Sequence, residues 1–174
     1  MIRTIAVILA AGLVTLGLTA ATAVTQSTPP VEVDDSDVVT AQGLADIQVG
    51  DTRAELERDH DMAQGPGDCA PRLPDHPAVS PVFDDDRLVL LWAEPPLHTP
   101  EGITVGTPVT TLQEIHPDAE RMTAEPGTYR FDGVLAPAGA QAYLFLHDGR
   151  AVQKVIVGST EHARLLFDVG FGTC

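Results

Sequence analysis

Apolar residues run almost unbroken over residues 5–21, thin out over residues 24–42, and then return in two rounds of alternating and helical spacing. In each round an apolar alternation ends on a glycine, Gly50 or Gly106, and a helix start follows. Thr52 with Glu55 three residues later forms a capping-box pattern, in which each side chain satisfies an orphan backbone donor of the helix start. In the second round Thr107 is placed to cap, and Pro108 suits the first helical position because its fixed φ helps and its missing N–H costs nothing. Val109, Leu112, Ile115 and His116 follow at helical spacing, whereas the first helix offers only Ala54, Leu56 and Met62 as an apolar stripe.

Strand signals come after each helix. In the second round residues 128–132, 142–147, 151–158 and 162–169 carry β-branched or aromatic alternation, and Asp148-Gly149 supplies a hairpin turn. Ala163, Leu165, Phe167 and Val169 share one face of an extended segment, so the last stretch is predicted as a strand. In the first round residues 82–83 and 87–93 flank Asp84-Asp85-Asp86 as a looser hairpin, and Pro81 confines the incoming strand to a sheet edge. Residues 94–98, with two prolines, form a stiff connector. The order predicts an α+β fold with the helices grouped on one face of an antiparallel sheet.

Sliding the chain against itself by 56 positions places Ile47, Val49, Gly50, Leu56, His60 and Ala63 on Ile103, Val105, Gly106, Leu112, His116 and Ala119. Six matches in a 17-residue window compare with about one expected for ordinary composition, which points to duplication. The expected organisation is a leader at 1–23, a flexible acidic linker at 24–42, and two tandem repeats at 43–98 and 99–174, each a short helical segment packed on an antiparallel sheet.

Ile47-Gln48-Val49-Gly50-Asp51-Thr52 and Ile103-Thr104-Val105-Gly106-Thr107 resemble the I-x-V-G-M-T strand-to-helix turn of the small outer-membrane-assembly lipoproteins of the SmpA/OmlA type. The tandem arrangement over about 130 residues, from Gly43 to Cys174, is similar to that of the secreted β-lactamase inhibitory protein family. That resemblance implies two repeats, each with helices against an antiparallel sheet. The aromatic content of 5% departs from the aromatic-rich binding surface of that family. The resemblance therefore speaks for the fold more than for inhibition of a β-lactamase.

The leading segment changes what the rest must do. Arg3, the apolar run and the small residues Ala21-Thr22-Ala23 make up a secretory signal with cleavage expected after Ala23. The alternative is a retained membrane anchor, since the run nearly spans a hydrocarbon core of about 30 Å. No cysteine follows the run to take a lipid. The expected location is secreted or at the cell-envelope exterior, with no membrane association after cleavage. Without the leader, 9 basic residues stand against 25 acidic ones, a net charge of −16. Such a surface repels nucleic acid and anionic lipid and steers basic partners at low salt. The two cysteines, Cys69 and Cys174, are read as a disulfide on export. Closing that loop would stabilise by about 4 to 5 kcal/mol through the unfolded chain's lost entropy.

Candidate chemistry is sparse. His60 and His116 fall at equivalent positions near helix ends, where the helix dipole favours partial positive charge; His76, His98, His147 and His162 are scattered. No H-x-x-H or His/Cys spacing forms a ligand set, so neither a metal nor another cofactor is expected. Gly158-Ser159-Thr160-Glu161 lacks the G-x-S-x-G elbow and reads as a turn, which leaves no catalytic residue to name. Trp92, Tyr129, Phe131, Tyr143 and Phe145 lie on predicted strands. Trp92, Tyr129, Tyr143 and Phe145 are the candidate interface, because aromatic residues anchor interfaces, although core packing is the competing role. Two functions stay open: a non-enzymatic module binding a protein or cell-envelope component, or a small secreted hydrolase or metal-dependent enzyme whose site assembles only in space.

Overall fold

A computed structural model describes residues 35–63, 71–127 and 130–170. Its architecture is α+β, with two antiparallel sheets. A short 3-10 turn, Asp35–Asp37, leads to three two-residue strands, β1 (Val39–Thr40), β2 (Gly43–Leu44) and β3 (Ile47–Gln48), paired in that order. Helix α1 (Arg53–Asp59) follows, then β4 (Val79–Asp84), β5 (Arg87–Ala93), α2 (Val109–Ile115), β6 (Glu120–Met122), β7 (Asp132–Ala138), β8 (Gln141–His147), β9 (Val152–Ser159) and α3 (Thr160–Val169). The larger sheet runs β4-β5-β9-β8-β7-β6. Among the described residues no helix is long and apolar enough to cross a membrane.

Local chemistry accounts for most of the element boundaries. The expected capping box opens α1: Glu55 N donates to Thr52 Oγ1 at 3.3 Å, and Thr52 N donates to Glu55 Oε2 at 2.8 Å. At α2 the cap is Pro108, one residue later than expected. Thr107 instead accepts from Thr104 N at 3.0 Å, closing the turn before the helix. Asp85 and Asp86 both take positive φ, 44° and 66°, which makes the β4–β5 connection a tight two-residue hairpin turn. Pro81 lies on β4 at the sheet edge, where its missing N–H leaves no ladder bond unmade.

The two hairpins share an irregularity. The register shifts between Val82 and Phe83 in β4–β5, and between Leu146 and His147 in β8–β9, so each bulge stands near its turn. Both helix starts are tied to the hairpins by the same backbone bonds. Gly50 N and Gly106 N donate to Leu88 O and Val152 O, each at 2.8 Å, while Arg53 N and Val109 N donate to Asp86 O and Arg150 O. Gly50 and Gly106 sit at φ 104° and 93°, a conformation open to glycine and costly for other residues.

Three sequence expectations change here. Residues 160–169 form a helix in place of a strand: Ser159 caps it, Ala163, Leu166 and Phe167 are buried at helical spacing, and Gly170 ends it at φ 77°. The alternate residues 165 and 169, which suggested a strand face, are exposed. The helices consequently do not share one face. Leu56 of α1 and Leu112 of α2 pack with Ile47, Ile103, Leu91, Phe145 and Val155 on one side of the large sheet. On the other side α3 packs Ala163, Leu166 and Phe167 on Leu90, Leu135, Leu144 and Ile156. Burying such side chains stabilises by about 1.5–3 kcal/mol each.

The third change concerns the linker. Val39 is fully buried and Ala41 nearly so, and Val39 N donates to His98 O at 2.9 Å. The tether expected as far as Gln42 therefore gives way to packed structure by Val39. Strands two residues long carry no alternation by which a sequence could announce them.

Candidate functional site

A ten-residue α3 cannot cover one whole face of a six-stranded sheet. Beside its C-terminal half a groove of about 470 Å³ lies open, lined by Trp92 of β5, Leu146 of β8, Arg130 and Phe131 before β7, and Leu166 to Gly170 of α3 and its cap. Phe131 is 37% exposed, and Val169 is 75% exposed. An apolar floor with partly exposed aromatic walls is the kind of surface that takes up a partner's side chain.

The groove's shape depends on how closely α3 approaches β7. Gly133 has no side chain, and the Phe167 ring occupies the vacant space; a β-carbon there would stand 2.9 Å from Phe167 Cε2. Arg130 holds the outer side of that ring, its guanidinium 5.5 Å from the centroid, and donates from Nη1 to Asp168 O at 3.3 Å. At the middle of α3, Arg164 grips Glu120 of β6 with both terminal nitrogens, Nη1 to Oε1 at 2.9 Å and Nη2 to Oε2. That hydrogen bonding keeps the Glu120 carboxyl below its ordinary range and raises the Arg164 guanidinium. Lys154 of β9 forms an ion pair with Glu94 at 3.0 Å.

Of the three candidate interface residues among those described, Trp92 alone lines the groove. Tyr129 lies outside the described residues. Phe145 is fully buried and Tyr143 is 8% exposed, both in the core under α1 and α2, so neither offers a binding surface. Their rings stack on each other at 5.9 Å, and His116 stacks on Phe145 at 5.7 Å. Burial raises the Tyr143 phenol above its usual value. The physical reason is that β8 has apolar residues on both faces, so alternation cannot say which face meets solvent. Leu166, Phe167 and Val169 went unrecognised because their segment reads as a strand. Cys69 and Cys174 both lie outside the described residues.

Two constellations converge that spacing in the chain did not announce. His162 Nδ1 stands 2.9 Å from Ser159 Oγ, and its Nε2 stands 3.1 Å from Asp84 Oδ2. With hydrogen on Nε2, hydroxyl, imidazole and carboxylate follow in the order of a hydrolytic relay. Ser159 Oγ also accepts from His162 N at 3.4 Å as the cap of α3, so the set fastens the start of that helix to the end of β4. Asp84 and His162 are 78 residues apart. On the opposite side of the sheet His60 and His76 meet edge to face near Asp46, at 5.6 Å between ring centroids. One ligand atom from each of Asp46, His60 and His76 lies within 4.8 Å of the others, a convergence that no His spacing along the chain signals.

Comparison with protein-family models, with curated proteins and with solved structures finds no match to this chain.

Proposed function

We propose that this is an exported, non-enzymatic binding module that takes up a protein or cell-envelope component in the groove beside α3. One observation carries the reading: Trp92, Phe131, Leu146 and Val169 form a partly exposed apolar surface on the sheet face that α3 leaves open. Apolar side chains exposed together in a concave surface are costly to leave in water, and a partner that covers them recovers that free energy. The net charge of −15 over the whole chain favours a partner with basic residues around an apolar anchor.

The fold is best understood as two tandem repeats of the kind seen in the β-lactamase inhibitory protein and SmpA/OmlA-type families. In support, α1 and α2 are tied to the turn ends of β5 and β9 by matching hydrogen bonds, with helix positions 56 apart and hairpin positions 64 apart. The hairpin bulges stand at the same 64-residue offset. On this reading β6, β7 and α3 belong to the second repeat, and the groove is a feature of that repeat's additional elements.

A second reading, a metal-dependent enzyme, is favoured by the convergence of Asp46, His60 and His76. The binding-module reading is tested by placing a photo-reactive residue at Phe131 or Trp92 in the producing cells. A discrete adduct to one basic protein from those positions, absent from the turn position Arg150, is expected. No adduct, or the same adducts from Arg150, contradicts it.

A further inference from the structure

We propose that Asp46, His60 and His76 bind one divalent transition-metal ion, with zinc the ion best matched to the donor set. One ligand atom from each residue lies within 4.8 Å of the others. Three segments of chain supply them: the turn between β2 and β3, the residue that caps the C-terminus of α1, and the loop before β4.

The separations suit a bridging ion better than direct contact. His60 Nε2 and Asp46 Oδ2 are 3.8 Å apart, too far for a hydrogen bond. Metal bonds of about 2.0–2.2 Å in a tetrahedral site place ligand atoms roughly 3.4 Å from one another. The His60–Asp46 pair is already close to that distance. The remaining contraction falls to side-chain rotation at Asp46, which is exposed, and at His76, which is half-buried. Two imidazoles and one carboxylate leave a fourth position for water or a partner's side chain, and a nitrogen-rich set of this kind prefers zinc and its neighbours to calcium or magnesium.

Backbone contacts hold all three positions. Ala45 takes φ 50° to form the turn that presents Asp46, an unfavourable conformation for a residue with a β-carbon, and its carbonyl accepts from Gln48 Nε2 at 2.9 Å. His60 N donates to Leu56 O, and His76 N donates to Leu73 O, each at 3.0 Å. His60 is only 6% exposed, so its imidazole is fixed by packing, while Asp46 leaves an approach from solvent. Asp61 and Asp75 adjoin the two histidines in the chain and add negative charge that favours a cation, whereas the Asp59 carboxylate is paired with Arg58 through both oxygens. His116, at the corresponding end of α2, stacks on Phe145, and its Nε2 is buried with no hydrogen-bond partner among the described residues. It serves as an internal control.

The test is calorimetric titration of the metal-free, full-length protein with Zn²⁺ alone, paired with thermal melts. One equivalent should bind and raise the melting midpoint. His76→Ala and Asp46→Asn alter positions that are not buried, so folding should survive. Each should weaken binding by at least about tenfold, the lower end of what loss of even an outer-sphere partner costs. His116→Ala should leave the affinity unchanged. Substoichiometric binding, or an affinity that neither His76→Ala nor Asp46→Asn changes, overturns the proposal.

Discussion

The ring of Phe167 fills the space that a side chain on Gly133 would occupy, with Cε2 2.9 Å from where the β-carbon would stand. This contact sets the distance between α3 and β7. Gly133→Ala should therefore push Phe167 outward and destabilise the protein by about 1–3 kcal/mol, the range for overpacking a filled site. Urea unfolding monitored by circular dichroism measures it. An unchanged midpoint would mean that the helix is not seated by this contact.

Ser159 is a helix cap in this fold, and its hydroxyl is 2.9 Å from His162 Nδ1. Ser159→Ala should cost about 0.5–2 kcal/mol, and Ser159→Asn, which can also cap, should recover most of that loss. If Asn restores nothing, the loss comes from the hydroxyl's contact with His162 at 2.9 Å and not from capping.

How much of this the sequence discloses varies by element. Thr52 and Glu55 mark the start of α1 because a capping box is local, and Asp84 to Asp86 mark a hairpin because positive φ suits short polar side chains. Residues 160–169 mislead for a physical reason. Ala163, Leu165, Phe167 and Val169 alternate, and only packing reveals that Leu165 and Val169 face outward. β7 contains Gly133 and Pro137, both poor strand formers, and its pairing with β8 overrides them. Of the site, Trp92 is legible as an aromatic residue on a strand, but the face it occupies is settled by where α3 packs. The meetings of His60 with His76 and of His162 with Asp84 are long-range contacts that no spacing encodes.

Acid should weaken the attachment of α3 to β6. Because Arg164 lowers the Glu120 carboxyl below its ordinary 4.5, the folded protein binds fewer protons there than the unfolded chain. The contribution is complete above pH 4.5 and is lost as pH falls through the folded value. The stability difference between wild type and Glu120→Gln should shrink on acidification below that point. Both side chains are near half exposed, so added salt should shrink it as well. A difference that grows in acid would contradict the pairing.

Truncating the buried aromatic pair should act on stability. Phe145→Ala should cost about 3–5 kcal/mol, because a fully buried ring leaves a cavity behind. Tyr143→Ala should also destabilise, and partner affinity measured on the folded fraction should not fall with either variant. A loss of affinity with folding intact would return these residues to the interface.

The most direct measurement is the dissociation constant of the partner captured from Phe131 or Trp92, determined for wild type, Trp92→Ala and Phe131→Ala. If the groove beside α3 is the binding surface, each truncation should weaken binding by about thirtyfold, the equivalent of about 2 kcal/mol for a buried aromatic anchor. Unchanged affinity in both variants, with circular dichroism and melting midpoint preserved, would contradict the assignment of this groove as the site of binding.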